Sequence, residues 1–310
     1  MKPMLAEDVV SFESLRYPLY GSYKVDGVRA LMTDDGFQPR SLKRFANVEV
    51  SNVFEASAGL LRGMEGELTL GGNPAATDVR LCSVTTSVTS TLNDARARDL
   101  HWWVFDLLPQ GPHPTVPFRD RITMLKQRFN DVRRLKLKNV HLLEQRLIRS
   151  PAEADAFEAE AIARGYEGIV LKDPDGVYKF GRSTLRSQQF LRVKRFTDAE
   201  GKIVGFVERQ KNNNEATTNE LGHKTRSSHK ANKAGSGTLG TLKVEMINGQ
   251  FAGKIIEVGT GWDAATGQWI WDHKAEVMDL ITKVKYFGHG CKDLPRFATY
   301  EGFRDPVDMS

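Results

Sequence analysis

The sequence predicts an α+β protein of two domains, and three observations support this fold class. The chain has 310 residues, enough for two domains of about 100–200 residues each. Up to residue 196, segments that alternate apolar and polar residues, as strands do, are interspersed with segments of helical period. From residue 197, short strands and one helix match a small five-stranded barrel. We therefore expect a first domain of antiparallel sheets and helices at 1–196 and a second domain at 197–310.

The bulk composition favours a soluble, intracellular protein of cytoplasmic location with a polyanionic partner. The formal net charge is +5, a mildly basic balance that suits such a partner. Cys82 and Cys291 are distant and form no CxxC pattern, which argues against a zinc site or a disulfide scaffold. Since no apolar run approaches ~18 residues, we expect no membrane association.

Periodicity predicts most elements of the first domain. The predicted strands are 19–32 (two strands and a turn), 64–70, 101–108, 140–148, 166–172 and 189–196, and the predicted helices are 118–129 and 150–164. The second helix has the clearest start, because Ser150 can cap it, Pro151 suits its first position and Glu153 its first turn. Residues 84–92 are rich in Ser and Thr, and we expect a loop whose hydroxyls either contact a phosphate or stay in solvent.

The second domain is predicted to consist of short strands interrupted by a long polar segment. The predicted strands are 202–208, 238–246, 251–258, 283–287 and 297–303, with a turn at Asn248-Gly249 and a helix at 266–281. Residues 209–238 contain six Lys or Arg and two Glu, but almost no apolar residue. Such a segment cannot bury enough surface to order itself, so we expect a flexible basic loop that folds onto nucleic acid.

Residues 23–29, Tyr-Lys-Val-Asp-Gly-Val-Arg, are the stretch richest in reactive chemistry. Lys24, buried between apolar and acidic neighbours, can lose its proton below its usual pKa of ~10.4 and attack as a neutral amine. Arg29 can bind a phosphate or a ribose hydroxyl, and Gly27 allows a tight turn between the two. The alternative is a simple surface turn, since Asp-Gly is a common turn dipeptide.

Two further segments carry charged groups suited to anions or metal ions. Residues 37–45 form a basic patch that either binds phosphate or is a solvated face. Glu65 and Glu67 bracket a glycine, a pattern that suits a ribose hydroxyl or a hydrated divalent ion, or merely a hairpin turn.

Aromatic and cationic residues recur on the predicted strands. Residues 101–108 carry aromatic side chains that either stack on a nucleobase or pack in the core. Arg192 and Lys194 fall on one face of a strand, where they form either a phosphate clamp or an exposed sheet face. Residues 178–183 are predicted to be a cationic loop.

Taken in order, these segments resemble the motifs of the covalent nucleotidyltransferases, the superfamily of ATP-dependent DNA ligases, RNA ligases and mRNA capping enzymes. The segments that carry the resemblance are Lys24–Arg29, Glu65–Glu67, Trp103–Asp106, Glu167–Lys172, Leu191–Lys194 and Pro295–Arg304. Their number and order, over nearly the whole chain, make the resemblance specific. It is closest to minimal viral DNA ligases such as that of a Chlorella virus, on three further segments at 178–185, 196–200 and 256–263.

The resemblance implies an adenylation (nucleotidyltransferase) domain followed by an OB-fold domain, and ATP-dependent sealing of 5′-phosphate/3′-hydroxyl nicks in duplex DNA. Lys24 would form a covalent lysyl-AMP, and Glu67 and Glu167 would hold Mg²⁺, or Mn²⁺ in its place. The residues expected to bind the nucleotide are Tyr23, Arg29, Glu67, Phe105, Arg192, Lys194, Arg296 and Arg304. Those expected to bind DNA are Arg40, Lys179, Arg182 and, in the 209–238 loop, Lys211, Lys224, Arg226, Lys230 and Lys233. A monomer that clamps around DNA is expected.

The chain departs from the family pattern at Arg192, where the family usually has lysine, and a forked arginine contacts a phosphate differently. Two alternatives remain open. The first is an RNA ligase or a capping guanylyltransferase of the same superfamily, which nucleotide choice and strand preference would distinguish. The second is a non-catalytic OB-type nucleic-acid-binding protein, which would form no covalent AMP.

Overall fold

The computed structural model describes residues 3–75, 81–108, 115–193, 195–218, 224–227, 229–288, 291 and 293–304. The chain divides into two compact units, residues 1–194 and 195–310. Helices and sheets are mixed along the chain, so the predicted α+β class is confirmed. None of the described helices is long and apolar enough to cross a membrane.

The described residues of the first unit form two five-stranded sheets and five α-helices. Its strands are β1 (Glu7–Asp8), β2 (Leu19–Tyr23), β3 (Val28–Thr33), β4 (Gly36–Pro39), β5 (Met64–Leu70), β6 (Leu100–Leu107), β7 (Val140–Leu142), β8 (Arg146–Ile148), β9 (Ile169–Lys172) and β10 (Leu191–Val193). Its helices are α1 (Val48–Glu55), α2 (Ala58–Leu61), α3 (Leu81–Ser90), α4 (Phe118–Arg134) and α5 (Pro151–Ala163), with 3-10 turns at Phe12–Ser14 and Ala95–Asp99.

The two sheets of the first unit meet where the chain passes from β2 to β3. One sheet has the strand order β1-β10-β9-β2-β8 and the other β4-β3-β5-β6-β7. Because β2 pairs with β8 and β9 while β3 pairs with β4 and β5, the two strands do not pair with each other. Both predicted strands in residues 19–32 are therefore present, but the four residues between them cross from one sheet to the other.

Apolar side chains from both sheets form separate cores in the first unit. The larger core lies between the β3–β5–β6 sheet and α4, where Trp102 is fully buried and Phe37 packs edge-on against it at 4.9 Å. The other core lies beneath β2, β9 and α5 and includes Leu19, Phe157 and Ile169. The β2–β3 crossover connects the two sheets that border these cores.

Two element predictions for the first unit are wrong. Residues 84–92 are mostly helical, since α3 runs from Leu81 to Ser90 with Thr85 and Val88 on its buried face. The hydroxyls that suggested a loop donate instead to helix carbonyls, Thr85 to Leu81 at 2.7 Å and Ser90 to Thr86 at 2.7 Å. The predicted strand 140–148 is two short strands, β7 and β8, which belong to different sheets. The capped start of α5 is confirmed, because the Ser150 hydroxyl accepts from the Glu153 amide at 3.2 Å.

In the second unit, the part of the chain that the structure describes forms one five-stranded sheet, a two-stranded sheet and two α-helices. Its strands are β11 (Thr197–Asn212), β12 (Ala216–Thr218), β13 (Lys224–Arg226), β14 (Lys233–Met246), β15 (Ile255–Val258), β16 (Ile281–Phe287) and β17 (Arg296–Arg304). Its helices are α6 (Ala264–Asp272) and α7 (Lys274–Val277), with a 3-10 turn at Lys230–Asn232.

The sheet of the second unit curls so that its two edges approach each other. Its strand order is β15-β14-β11-β16-β17, and the Tyr300 amide on β17 donates to the Thr260 carbonyl, just beyond β15, at 2.9 Å. The concave side encloses a core that includes Ile203, Val244 and Tyr286. The predicted helix 266–281 is too long, because α7 ends at Val277 and β16 begins at Ile281. The predicted strand 251–258 begins only at Ile255; Phe251 lies in the preceding turn, packed against Tyr286 at 5.3 Å.

The prediction that residues 209–238 lack secondary structure is wrong for the part of this segment that is described. The β11–β14 ladder continues beyond the sheet as far as the Asn212–Lys233 pair, and β12 and β13 pair above it. The Asn214 amide bridges this region by donating to the Ser227 and His229 carbonyls, both at 2.9 Å. Backbone pairing therefore orders these polar residues without an apolar core. We call residues 209–238 the basic ribbon.

Candidate nucleotide and phosphate site

Lys24 lies on the crossover between the two sheets of the first unit, directly after β2. Its amide donates to the Gly168 carbonyl at 2.9 Å, and the Glu167 amide donates to the Lys24 carbonyl at 3.3 Å. A Cβ atom at Gly27 would lie 2.1 Å from the Leu68 carbonyl oxygen. Only glycine therefore allows the crossover to pass so close to β5, and this close packing fixes the position of Lys24.

A cleft of about 440 Å³ opens beside this crossover and is lined by residues of both sheets. Eight of the predicted site residues line it: Tyr23, Lys24, Arg29, Arg40, Glu67, Phe105, Arg182 and Arg192. Four further lining residues were not among the predicted site residues: Phe190, Leu143 and Val170, which supply part of the apolar wall, and Thr86 of α3. These four residues lie in segments whose side-chain direction depends on the packing of the sheets.

Lys24 and Glu167 form an ion pair inside the cleft region. The Lys24 ammonium donates to Glu167 Oε2, with the two side chains 21% and 5% exposed. Glu167 does not line the cleft itself, but it reaches the cleft through this contact. An amine held in this way is positioned as a donor. It can act as a nucleophile only when the pair opens and the proton leaves.

Glu67, on β5, is the carboxylate with the most unusual titration in the cleft. Burial raises the pKa of Glu67 to about 7, and the nearby Glu167 and Asp26 carboxylates add to the rise, while Lys24 and Arg29 oppose it. A carboxylate in this environment is near half-ionised at neutral pH. A bound cation would therefore be expected to favour its ionised form.

Arg29 is held by Glu65, which was not among the predicted nucleotide-binding residues. Its Nε and Nη2 atoms donate to Glu65 Oε1 at 2.9 and 2.5 Å, and the Tyr178 hydroxyl donates to the other oxygen at 2.9 Å. Burial alone would lower the pKa of Arg29, but Glu65 reverses the effect and the pKa is raised. Burial and the Glu65 charge raise the pKa of Tyr178 well above its usual value. The arginine thus remains charged at the wall of the cleft.

Phe105 is backed by a buried charged cluster. Its ring lies 6.2 Å from that of Phe190, and the Lys172 ammonium lies 5.0 Å from the Phe105 ring centre. Lys172 donates to Asp106 at 2.7 Å, and Arg121 donates to the same carboxylate at 2.7 and 3.1 Å. Burial would raise the pKa of Asp106, but these two cations hold it below its usual range. Burial lowers the pKa of Lys172. The cluster joins β6, β9 and α4 behind the aromatic wall.

Three of the predicted phosphate-binding cations line the cleft: Arg40, Arg182 and Arg192. Arg40 is exposed there; Arg182 donates to the Ala6 carbonyl at 2.9 Å; Arg192 donates to Asp8. Lys179 does not line the cleft, although its backbone amide contacts the Met4 sulfur at 3.5 Å. Lys194 lies outside the described residues.

Tyr23 lines the cleft, but its hydroxyl is engaged by α5. It donates to Glu160 at 2.6 Å, and the ring stacks on Tyr166 at 4.5 Å and on Phe157 at 5.0 Å. Burial and the Glu160 contact raise the pKa of Tyr23. These contacts fix the residue immediately before Lys24 on the sheet.

The remaining predicted residues lie in the second unit. Arg296 and Arg304 are at the two ends of β17; the Arg296 guanidinium lies 5.4 Å from the Phe297 ring centre, and Arg304 lies 3.5 Å from Glu200. In the basic ribbon, the Arg226 guanidinium donates to the Asn214 carbonyl. The other four ribbon cations that were predicted to bind DNA have exposed side chains: Lys211, Lys224, Lys230 and Lys233. Within the described ranges, no group of three or more His, Cys, Asp or Glu residues could hold a metal ion by itself.

Comparisons with known proteins give consistent matches. The family model for the ATP-dependent DNA ligase domain matches residues 3–194. A protein of Anaeromyxobacter dehalogenans named "Probable DNA ligase" is 31% identical over 211 residues, which are 63% of this chain and 39% of that protein. This chain therefore spans less than half the length of that relative.

Two solved structures are similar over nearly the whole chain. A crystal structure of Chlorella virus DNA ligase-adenylate is 25% identical, with a TM-score of 0.54 and 99% of each chain covered. A structure of a Lig E DNA ligase is 19% identical, with a TM-score of 0.68 and 98% and 99% of the two chains covered. The second likeness concerns the fold alone.

Proposed function

The chain belongs to the ATP-dependent DNA ligase family, and we propose that it seals 5′-phosphate/3′-hydroxyl nicks in duplex DNA with ATP. The resemblance to minimal DNA ligases and the fold, an adenylation domain followed by an OB-fold domain, are confirmed. The observation that carries the proposal is the cleft that places Lys24 among Glu67, Arg29 and Phe105. This set provides a nucleophile, a ribose and phosphate contact, and an aromatic wall for a base.

The proposed reaction begins with attack by Lys24 on the α-phosphorus of ATP. A P–N bond forms, the P–O bond to pyrophosphate breaks, and the Lys24 nitrogen loses a proton. The Lys24–Glu167 ion pair has to open first, because the amine needs a free electron pair. The covalent lysyl-AMP then passes AMP to the 5′-phosphate of the nick. Attack by the 3′-hydroxyl finally forms the phosphodiester bond and releases AMP, so that each step has a good leaving group.

The carboxylates beside Lys24 suit a magnesium ion bound together with the nucleotide. Mg²⁺ is usually bound by one or two carboxylates and substrate phosphates, and Glu67 and Glu167 provide that number. The raised pKa of Glu67 next to Glu167 is consistent with a site completed by a cation. The ion, or Mn²⁺ in its place, would supply charge neutralisation and Lewis acidity. Arg29 and the aromatic wall would orient the nucleotide whether or not the ion is bound.

We assign the cations of the rim and of the second unit to the polyanionic parts of the substrates. Arg40 and Arg182 would bind the 5′-phosphate of the nick, and Arg192 would bind the α-phosphate. Arg296 and Arg304 would orient pyrophosphate, which requires the second domain to move during the cycle. The exposed lysines of the basic ribbon would bind the DNA backbone of a clamped duplex. In this proposal a soluble, intracellular monomer suffices, because one chain carries all of these groups.

Intact-mass measurement tests the proposal directly. The wild-type protein is incubated with Mg²⁺ and either ATP or GTP, and nicked duplex DNA is then added. We expect an AMP-sized adduct with ATP that disappears as the sealed strand appears. Lys24→Ala should form no adduct and yet bind nicked DNA almost as well as the wild type, since only the nucleophile is removed. A GMP adduct, discharge onto RNA only, or strand sealing by Lys24→Ala would each contradict the proposed activity.

A further inference from the structure

Leu5 and Ala6 line the cleft, and the segment from Leu5 to Val9 contacts two arginines that also line it. The Leu5 amide donates to the Gly181 carbonyl at 2.7 Å, and the Ser183 amide donates to the Leu5 carbonyl at 2.8 Å. These bonds place Arg182, which lies between the two partners, beside the Ala6 carbonyl. The role of this segment depends on contacts with residues far along the chain, so its local sequence does not reveal it.

The same segment aligns Arg192 through a parallel strand pair. Asp8 on β1 is the register partner of Arg192 on β10, and the Val9 amide donates to the Arg192 carbonyl at 3.0 Å. The two side chains form a forked contact: Nε donates to Asp8 Oδ1 at 2.6 Å and Nη2 donates to Oδ2 at 2.9 Å. The hydrogen bond to Asp8 is the largest contribution to the raised pKa of Arg192.

This side-on contact uses only part of the guanidinium. An arginine has five N–H donors in a planar fork, and the Asp8 carboxylate engages Nε and one hydrogen of Nη2. Within the described part of the chain, no other hydrogen bond of this guanidinium is seen, so Nη1 and the second hydrogen of Nη2 remain available at the end of the fork, where an arginine can bind two phosphate oxygens. Arg192 lines the cleft, whereas Asp8 does not. A lysine, which the family pattern has at this position, has a single nitrogen and cannot divide its donors in this way.

We propose that Asp8 is a positioning residue that holds Arg192 side-on, so that the free edge of the guanidinium receives a phosphoryl group of the nucleotide. The inference rests on the proposed function, because it takes the cleft to bind ATP. Asp8 itself touches no substrate. It restricts a long side chain that is 31% exposed and that would otherwise sample many rotamers.

A double-mutant cycle on ATP binding tests this role. All variants carry Lys24→Ala, so that binding is measured by calorimetry without covalent reaction. Asp8→Asn should raise the dissociation constant for ATP by up to about fivefold, the upper limit for losing a partly exposed ion pair that orders the arginine. In the Arg192→Lys background, Asp8→Asn should change the dissociation constant for ATP less than about twofold, because the ammonium group of lysine has no planar fork for Asp8 to orient. An equal loss in both backgrounds would show that Asp8 acts through the local fold and would overturn the proposal.

Two controls make the result specific. Asp34 forms an exposed ion pair with Arg62 at 2.5 Å, and neither residue lines the cleft. Asp34→Asn should therefore leave ATP binding unchanged. Tighter ATP binding by Asp8→Asn would mean that Asp8 blocks Arg192, which also contradicts the proposal. Formation of the lysyl-AMP adduct on the protein with Lys24 intact distinguishes a failure of the proposed function from a failure of the role of Asp8. If that adduct fails to form, the proposed function is wrong; if it forms and the cycle shows no coupling, only the role of Asp8 is wrong.

Discussion

Replacing Glu67 by Gln should remove a large pH dependence from the stability of the protein. In the native state, burial raises the pKa of Glu67 to about 7, whereas the ordinary value is 4.5. The native state therefore holds a proton between these pH values that the unfolded chain has released. Because the native state binds more protons in this window, the free energy of unfolding falls as the pH rises through it.

The magnitude follows from the two pKa values. They differ by about 2.5, which corresponds to about 3.4 kcal/mol at 1.36 kcal/mol for each pKa unit. Integration of the two titrations gives a loss of about 2.5 kcal/mol between pH 5 and pH 8. The amide in the Glu67→Gln variant does not titrate, so this variant should lose about 2.5 kcal/mol less than the wild type over this range. This is a substantial share of the stability of a typical domain.

Urea denaturation at pH 5 and pH 8 measures the effect, provided that the slope m is the same for both proteins. Glu160→Gln is the matched control. The Arg146 hydrogen bond, and then that of Tyr23, lowers the pKa of Glu160 to about 2. Because this value and the ordinary 4.5 both lie below pH 5, the control should shift stability equally at both pH values. If Glu67→Gln shows the same dependence as the wild type, Glu67 does not titrate near neutrality and our description of its environment is wrong.

Two further perturbations address the basic ribbon and the buried cluster. Replacing the four exposed lysines of the ribbon by Gln should weaken duplex binding and reduce the slope of log K against log salt by up to about 3.6, at 0.9 for each lost phosphate contact. Replacing Lys126 and Lys138, which lie outside the ribbon, by Gln is the control. An unchanged slope for the ribbon variant would show that the ribbon does not contact DNA. Lys172→Met should lower the free energy of unfolding by about 3 kcal/mol, because it breaks a buried ion pair. A loss below about 1 kcal/mol in urea denaturation would show that Arg121 alone satisfies Asp106.

Local sequence was sufficient to predict those elements and reactive groups that depend only on residues close together in the chain. The start of α5 follows from the Ser150 cap, and most strands follow from alternation over a few residues. The reactive groups of the cleft could also be named from their motifs, because an amine, a carboxylate or a guanidinium keeps its chemistry in any fold. Composition misled at residues 84–92, where the high Ser and Thr content hid a helical apolar face.

The basic ribbon shows why composition alone was insufficient. Its residues bury little apolar surface, and on that ground an unstructured loop was expected. The ladder of β11 and β14 instead extends from the sheet and pairs the backbone of both strands. Pairing of this kind depends on the register of two strands, which a count of apolar residues does not contain.

The sequence by itself determined the class of fold, the family and the identity of the charged side chains that line the cleft. Only the tertiary structure decided which groups are partners. Lys24 contacts Glu167, Glu65 contacts Tyr178, and Asp8 contacts Arg192, pairs separated by 143, 113 and 184 positions along the chain. The Asp8–Arg192 pair forms because β1 and β10 lie side by side, and the Lys24–Glu167 pair forms because these residues adjoin the paired strands β2 and β9. The physical reason is that hydrogen bonds and pKa shifts act over a few ångströms in space, whatever the distance along the sequence.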